Sequence, residues 1–469
     1  MQKVFDSCYE MDKRCYDEYG LSEDILMEHA ARGMSEYIKN HFEPNSSVLI
    51  VSGVGNNGAD GIVLARGLYG DYDVKLYMPF GVKSDMAKLQ LQRATQLGLS
   101  VVDEITPCDV VVDAIFGAGL NRELDRDTIK LLQDINTLDA FKIACDVPTG
   151  ILEDGRVCDE VFGADVTITM GALKKSLYSD SAKEYVGKIL CVDLGVSRKM
   201  YELTSDTYLL EFSDMRLPIR EQKATHKGTF GHSAIFVGDK EGAGVIAGMA
   251  SARFGAGLTT LITAQKLTIP HHLMQSDNLP TNTTAIAIGM GLGGYFDDEF
   301  LQKNVIDSDI PIVLDADAFY EPKLLNILSQ ESRKIIITPH PKEFASMWKI
   351  LTGEVLSIED IQNHRFDIAK RFSQLYPHVV LLLKGSNMLI AYQHKTYINP
   401  YAKSNLSKGG SGDALSGLIV SLLAQRQDTL SCAVNASLAL AKASSVYKGA
   451  SYSLLPQDIV ETLANLEAI

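Results

Sequence analysis

In both halves of the chain, short apolar runs alternate with helical patterns. In the first half, runs rich in Val, Ile and Leu include SVLIVSG, DVVVDAIFG and FKIACDVP, and helical stretches such as SDMAKLQLQRATQLG separate several of them. After about residue 221 the alternation starts again, with HSAIFVGD, PIVLDAD and HVVLLLKG. Short apolar strands that alternate with helices predict a parallel sheet that is covered by helices on both faces. We therefore predict an α/β fold for both halves.

The segment between the two halves has weaker periodicity, from about residue 196 to residue 221, and we interpret it as a domain junction. The motifs of one half do not recur at matching positions in the other. We therefore expect a fusion of two unlike domains, 1–210 and 211–469, and not an internal repeat. A chain of this length is expected to form about two to four domains. The second half is predicted to end in two helices, SGDALSGLIVSLLAQ and TLSCAVNASLALAKASSVYKG.

Charge and cysteine content argue against several classes of function. The formal net charge of −15 is unlike that of a nucleic-acid-binding surface, which needs a clustered basic face. The seven cysteines form no CxxC pair, which predicts reduced thiols and a cytoplasmic location. The first residues carry charges where a signal peptide needs an apolar core. No apolar run approaches the ~20 residues of a membrane span. We expect a protein with no nucleic-acid or membrane partner.

The stretch SKGGSGDALSG is a candidate active site in the second half. A glycine-rich turn that opens a helix directs unpaired N–H groups and the positive end of the helix dipole at one point, which suits a phosphate. Asp413 lies on the first turn, where it can take a proton from a hydroxyl beside that anion. An ordinary helix start, capped by Ser411 or Asp413, is the alternative. The presence of Lys384 and His340 elsewhere in this half favours the active site.

In the first half, polar residues follow three predicted strands, in GVGNNGADG, DAIFGAGL and DVPTG. The first of these contains GxGxxG, which alone is a weak indication of a dinucleotide site. Ligands bind beyond the carboxyl ends of strands in open parallel sheets, so we expect the three loops to converge. Asn57, Asp113 and Thr149 then offer only oxygen ligands, which favours a hard cation over zinc. Simple turn capping by these residues is the alternative.

These motifs resemble those of a known enzyme family. GVGNNGADG, VDAIFGAGL and DVPTG are similar to motifs of the NAD(P)H-hydrate epimerase domain, and HKGTFGH, GMGLG, TPHPKEF, KGSNM and KGGSGD to those of the ADP-dependent NAD(P)H-hydrate dehydratase. The resemblance implies a Rossmann-like three-layer domain followed by a ribokinase-like α/β domain. It implies that the first domain interconverts the R and S forms of NADHX or NADPHX, which are the hydrated forms of NADH and NADPH. The second would dehydrate the S form while converting ADP to AMP and phosphate.

The resemblance also implies roles for particular residues. The hydrated nucleotide is expected to contact Asn56, Asn57, Gly58, Ala59, Asp60, Gly117, Ala118, Gly119, Leu120, Asn121, Arg122, Glu123, Ala243, Gly291 and His340. The phosphates of ADP are expected at Lys384, Gly385, Ser386, Asn387, Met388 and Gly412. Potassium is expected at Asn57, Asp113 and Thr149 in the epimerase domain, and Mg²⁺ with ADP in the other. Asp146 is expected to transfer protons in the epimerisation, and Asp413 is expected to act as a base in the dehydration. The chain is expected to form a homo-oligomer.

Two rival functions stay open on the sequence. A small-molecule kinase of the ribokinase class, acting on a vitamin precursor, fits the GxGD turn equally well, but it does not account for the asparagine-rich loop of the first half. A non-enzymatic scaffold is the second rival. The presence of Asn57, Asp113 and Asp146 argues against it.

Overall fold

The apolar runs named above form strands in the computed structural model, which describes residues 1–466. The chain forms a first unit, Lys3–Ser205, and a second unit that begins at Asp206 and includes Met1–Gln2. Strands alternate with helices in both units, and parallel pairing dominates both sheets, which confirms the predicted fold class.

The first part of the chain forms, in order, β1 (Gln2–Phe5), α1 (Tyr9–Asp17), α2 (Glu23–His41), β2 (Ser47–Ser52), α3 (Asn56–Leu68), β3 (Asp73–Tyr77), α4 (Asp85–Gln96), β4 (Val101–Val102), β5 (Val110–Ala114), α5 (Arg126–Asn136), β6 (Phe141–Cys145), β7 (Val166–Met170), β8 (Leu173–Lys174), β9 (Lys188–Val192) and α6 (Arg198–Tyr201). The order in its main sheet is β4-β3-β2-β5-β6-β7-β9, and every pairing is parallel. β1 pairs with β8.

Alternation along β2 explains how the first sheet is covered on both faces. Val48 and Ile50 belong to an apolar cluster with residues of α2 and α3. Leu49 and Val51 belong to a second cluster with residues of α5. Successive side chains of a strand point to opposite faces, so a strand that is apolar at every position packs against helices on both sides.

The second part forms, in order, β10 (Thr207–Leu209), β11 (His232–Phe236), α7 (Glu241–Arg253), β12 (Leu258–Ile262), β13 (Met274–Ser276), β14 (Ala285–Ile288), α8 (Asp298–Leu301), β15 (Ile312–Leu314), α9 (Pro322–Leu325), β16 (Ile335–Ile337), α10 (Pro341–Thr352), α11 (Ile358–Asn363), α12 (Arg365–Leu375), β17 (Val379–Leu383), β18 (Met388–Tyr392), β19 (Lys395–Asn399), α13 (Ser411–Ala424), α14 (Thr429–Val446) and α15 (Pro456–Thr462). Its strand order is β13-β12-β11-β14-β15-β16-β17-β18-β19-β10.

Three elements of the second unit differ from the expectation. The strands β17, β18 and β19 are antiparallel, and the turn between β18 and β19 places Gln393 and His394 at positive φ. Such turns are usually marked by Asn-Gly or Asp-Gly, so this hairpin has no strong sequence signal. The expectation that the chain ends in two helices is wrong, because α15 follows α14. The strand β10 lies within the expected junction and pairs with β19.

Helix α13, which follows the glycine turn of the predicted phosphate site, is enclosed by the core of the second unit. Its residues are buried, except for Gly412 and Asp413 on the first turn. The helix packs against α7, α14 and the sheet, and its apolar side chains belong to the main core of the unit. Packing on all sides therefore fixes the position of the first turn. None of the helices within residues 1–466 is long and apolar enough to cross a membrane.

Candidate active sites

A cavity of about 470 Å³ opens beside the main sheet of the first unit. Its wall includes the start of α3, the loop after β5, and Asp146 after β6. The strands β2, β5 and β6 are parallel neighbours, and their carboxyl ends therefore open on one side. The loops that the sequence predicted to converge thus meet at one cavity.

Asp146 is held by donors on both of its oxygens. Its φ of 69° is a conformation that residues other than glycine rarely adopt. Lys174 Nζ lies 2.6 Å from Asp146 Oδ1, and the Thr169 hydroxyl and Met170 N–H donate to the same oxygen. The Ala118 N–H donates to Oδ2 over 3.2 Å. Burial alone would raise the pKa of Asp146, but Lys174 and the other donors outweigh it and hold the pKa below its usual value. Asp146 is an ionised carboxylate with most lone pairs engaged.

The three residues predicted to bind potassium lie at the same edge. Thr149 donates its N–H to Asp113 Oδ2 over 2.7 Å and its hydroxyl to Oδ1 over 2.8 Å. A Cβ added to Gly117 would lie 3.0 Å from Asn57 Oδ1, so the amide faces the loop after β5. Asn57 Nδ2 is buried and has no hydrogen-bond partner among residues 1–466. Burial raises the pKa of Asp113 to about 6, even though Thr149 and Ile115 donate to it.

This arrangement fits a cation with oxygen ligands. The side chains offer amide, carboxylate and hydroxyl oxygens, which are the ligands of hard cations. A positive charge nearby would stabilise the buried Asp113 carboxylate, whose ionised form burial disfavours.

Three further carboxyl groups line the cavity, those of Asp12, Glu23 and Asp60. Asp12 accepts a hydrogen bond of 2.5 Å from the Tyr201 hydroxyl, and burial raises its pKa. The Asp60 side chain makes no hydrogen bond or ion pair with the rest of the described chain, residues 1–466. Its pKa is raised well above the usual value by burial and by the negative charges of Asp146, Asp12 and Glu23, which Lys174 only partly offsets. The cavity therefore contains one carboxyl group whose surroundings favour the ionised form and another whose surroundings favour the protonated form.

About half of the residues predicted to bind the hydrated nucleotide line this cavity: Asn56, Asn57, Asp60, Gly117, Ala118, Gly119 and Leu120. Gly58 and Ala59 are buried in α3, and a side chain at Gly58 would collide with the main chain of Gly53. The next three residues of the loop, Asn121, Arg122 and Glu123, are exposed and lie outside the cavity wall. Their role in binding stays a prediction.

In the second unit, the glycine turn has the geometry expected of an anion site. Gly410 caps α13 with φ of 95°, and a Cβ there would lie 2.4 Å from Pro456. No side chain caps the helix, so capping by Ser411 or Asp413 is not observed. The Asp413 side chain makes no hydrogen bond within residues 1–466. Burial and then the charge of Asp315 raise the pKa of Asp413 to about 6, and Lys384 opposes the shift.

Beside this turn lies an ion pair between Lys384 and Asp315. Lys384 Nζ lies 2.5 Å from Asp315 Oδ1, and the Ser416 hydroxyl donates to Oδ2 over 2.7 Å. A Cβ on Gly412 would lie 3.3 Å from Lys384 Nζ. The amine therefore reaches the first turn of α13, where a phosphate can bind between it and the helix N-terminus.

Of the other residues predicted for the second site, His340 lies near this pair. His340 caps α10, and its Nδ1 accepts from the N–H groups of Lys342 and Glu343. Burial and the neighbouring Lys384 lower the pKa of His340. At the start of α7, the Ala243 Cβ would lie 3.3 Å from a Cβ on Gly291. These two predicted substrate contacts are therefore neighbours.

The predicted nucleotide loop follows β17 directly. Gly385 is partly buried, Ser386 is exposed and Asn387 is buried. The Met388 side chain belongs to the apolar core, so this position would meet a ligand through its main chain. Contacts of these residues with a nucleotide stay predictions.

The sequence interpretation missed four residues that the structure places at the two sites: Asp12, Lys174, Asp315 and Ser416. Two of them follow strands directly or nearly so, Asp315 after β15 and Lys174 at the end of β8. The rule that found Asp113, namely polar residues at the carboxyl ends of strands, would also have found Asp315. Asp12 lies on α1, which contains none of the motifs described above.

Comparison with known proteins follows the same division of the chain. Residues 234–465 match the family model described as NAD(P)H-hydrate dehydratase, and residues 23–176 match the model of the YjeF-related protein N-terminus. The bifunctional NAD(P)H-hydrate repair enzyme Nnr of Helicobacter pylori is 39% identical, over 99% of this chain and 100% of its own length. This chain belongs to that family of bifunctional NAD(P)H-hydrate repair enzymes.

A second relative agrees with this membership. The enzyme of the same name from Coxiella burnetii is 32% identical over 89% of this chain and 88% of its own. The crystal structure of the ADP/ATP-dependent NAD(P)H-hydrate dehydratase of Bacillus subtilis, co-crystallised with ATP/Mg²⁺, has 27% identity and a TM-score of 0.46, and covers 54% of this chain and 94% of that one. The family resemblance predicted from the motifs is confirmed. A relative that matches both units disfavours the rival kinase and scaffold functions.

Proposed function

We propose that the first unit epimerises hydrated NADH or NADPH at C6 of the nicotinamide ring, and that the second unit dehydrates the S epimer with ADP. Membership of a family with both activities on one chain supports this proposal. The observation that carries it is the open first turn of α13, where Asp413 lies beside the Lys384–Asp315 pair. We assign the two activities to residues 1–210 and 211–469.

The second site has the groups that dehydration needs. Asp413 would remove the proton of the C6 hydroxyl, whose oxygen attacks the terminal phosphoryl group of ADP and releases AMP. Phosphate would then leave C6 with the bonding electron pair while C5 loses a proton, which restores the dihydropyridine. The N–H groups of the α13 start and Lys384 would stabilise negative charge on the transferred phosphoryl group. Mg²⁺ bound with ADP would neutralise further phosphate charge.

At the first site, Asn57, Asp113 and Thr149 would hold potassium. Its charge would favour the ionised form of Asp113 and so order the loops that surround the cavity. The cavity wall would bind the hydrated nucleotide, with Asp146 and Lys174 as the charged pair facing it.

The proposal is tested by incubating the protein with a racemic mixture of the hydrate and following the return of the absorbance of the reduced nicotinamide ring. With the full chain and ADP, both epimers should return to the reduced nucleotide, and phosphate should form in equal amount. Without ADP, no reduced nucleotide should form, but the epimers should still interconvert. An enzyme that phosphorylates a small alcohol and leaves the hydrate untouched would refute the proposal. A homo-oligomer and a cytoplasmic location also stay predictions, which light scattering and cell fractionation would test.

A further inference from the structure

The cavity of the first unit contains carboxyl groups in two different states. Asp146 accepts four hydrogen bonds and is paired with Lys174, whose side chain is 3% exposed. A carboxylate in this environment is a weak proton acceptor and has no proton to donate. It is suited to binding and orienting a substrate, and poorly suited to transferring protons.

Asp60 has the opposite environment. It lies near the start of α3 and lines the same cavity, and its carboxyl group makes no hydrogen bond or ion pair with any group of residues 1–466. The charged groups that act on it are Asp146, Asp12, Glu23 and Lys174, of which three are acidic. Burial among negative charges raises its pKa well above the usual value and so favours its protonated form.

We propose that Asp60 is the proton donor of the epimerisation, a role that rests on the proposed function of the first unit. The Asp60 carboxyl proton moves to the C6 hydroxyl oxygen of the hydrated ring, and the C6–O bond breaks with its electron pair leaving on oxygen as water. The lone pair of ring N1 forms the C6=N1 bond. Water adds to the other face of the planar C6, and the proton that it loses returns to the Asp60 carboxylate through water in the cavity. Nothing is oxidised or reduced.

The geometry gives Asp146 a different part in this reaction. As an ionised group facing the same cavity, it stabilises the positive charge that develops on the ring when the hydroxyl leaves. Lys174 is a positioning residue, because its amine is hydrogen-bonded to the Asp146 carboxylate, the Thr169 hydroxyl and the main-chain oxygen of Met170.

The test is Asp60→Asn in the full-length protein, assayed without ADP so that dehydration cannot consume the substrate. Asparagine has nearly the same shape and cannot donate a carboxyl proton. We expect the turnover number of epimerisation, corrected for the spontaneous rate, to fall roughly 10²–10⁴-fold, with KM changed only a few-fold. Dehydration of the S epimer by the same preparation should be unchanged, which shows that the protein is folded.

A matched variant and a second measurement complete the test. Asp85→Asn lies on the first turn of α4 with its side chain 95% exposed, and it should epimerise as the wild type does. In wild-type protein, the epimerisation rate should fall as the pH rises through the pKa of Asp60, and residual activity of Asp60→Asn should lack this fall. In water enriched in ¹⁸O, epimerisation should place the label in both epimers at C6.

Three outcomes would overturn the proposal: near-normal turnover by Asp60→Asn, a hundredfold loss in Asp12→Asn with little loss in Asp60→Asn, or interconversion without ¹⁸O uptake. Absence of epimerisation in the wild-type protein would instead refute the proposed function of the first unit.

Discussion

Both units contain a lysine–aspartate pair and a carboxyl group with a raised pKa, but the pairs differ in how far they are exposed. Each unit has an aspartate at the end of a strand that is paired with a lysine, Asp146 with Lys174 and Asp315 with Lys384. Each also has a carboxyl group with a raised pKa in the first turns of a helix that follows a glycine loop. In the first unit the lysine is enclosed, with its side chain 3% exposed, whereas in the second it is 20% exposed.

The difference in exposure separates two uses of an ion pair. Lys174 also donates to Thr169 and to the main-chain oxygen of Met170, so its charge serves to fix Asp146. Lys384 reaches the open start of α13 and can share its charge with a bound phosphate. The same comparison indicates opposite roles for the two helical carboxyl groups: Asp60 gives a proton, and Asp413 takes one.

The largest expected effect is that of Asp413→Asn on the second unit. Asparagine cannot take a proton, so dehydration should fall roughly 10²–10⁴-fold in a coupled absorbance assay. ADP affinity, measured by calorimetry, should be equal or higher, because a negative charge near phosphate is removed. Epimerisation should be intact.

Asp428→Asn is the matched control for this change, because Asp428 caps α14 through the Ser431 N–H and is exposed. Equal dehydration by both variants would show that Asp413 has no part in proton transfer.

Lys174→Met tests whether the enclosed pair is essential to the fold of the first unit. Removal of one partner of a buried ion pair leaves an uncompensated charge and costs about 3–5 kcal/mol of unfolding free energy. Chemical denaturation of the first unit should show this loss. The double variant Lys174→Met/Asp146→Asn should recover part of it, since no charge is then left unpaired. A double variant no more stable than the single one would contradict the interpretation.

Asp113→Ala tests the potassium site. Loss of the carboxylate should weaken the response of epimerisation to potassium by about 10–100-fold in apparent affinity, as for other changes around metal sites. Titration with KCl at constant ionic strength measures it, with NaCl as the comparison. Asp109→Ala changes an exposed carboxylate just before the other end of β5 and should leave the response unchanged. Identical titration curves for both variants would rule out Asp113 as a ligand.

The smallest expected effect is the pH dependence of dehydration. Asp413 acts as a base only when ionised, and its pKa is raised to about 6. The rate should therefore be constant above that pH and fall about tenfold per unit below it. Epimerisation should have the opposite slope, because Asp60 acts in its protonated form. If both reaction rates changed with pH in the same direction, the proposed difference between Asp60 and Asp413 would be refuted.

Much of the fold could be predicted because its signals are local. Apolar runs of about five residues, separated by helical patterns, identify parallel strands without knowledge of their partners. Motifs next to strand ends likewise located Asp113 and Asp146, and a glycine-rich turn at a helix start located Asp413. The protonation states of these groups could not be predicted, because they depend on neighbours that are distant in the sequence, such as Lys174 for Asp146 and Asp315 for Asp413.

The antiparallel strands at the end of the second sheet were missed for a related reason. The hairpin between β18 and β19 turns through Gln393 and His394, neither of which is typical of such turns. The strand β10 has three residues, Thr207–Leu209, which is too short for a pattern of alternation to be visible.

This short strand also sets an order of events during synthesis. Tyr208 pairs with Tyr397, so β10 leaves the ribosome long before the strand that completes its hydrogen bonds. The first unit, by contrast, has all of its strands by Val192. Contacts between residues that are distant in the chain form late, and domains at the N-terminus usually fold first during synthesis. In the nascent chain, the first unit should thus be folded while the main-chain groups of β10 are still hydrogen-bonded to water.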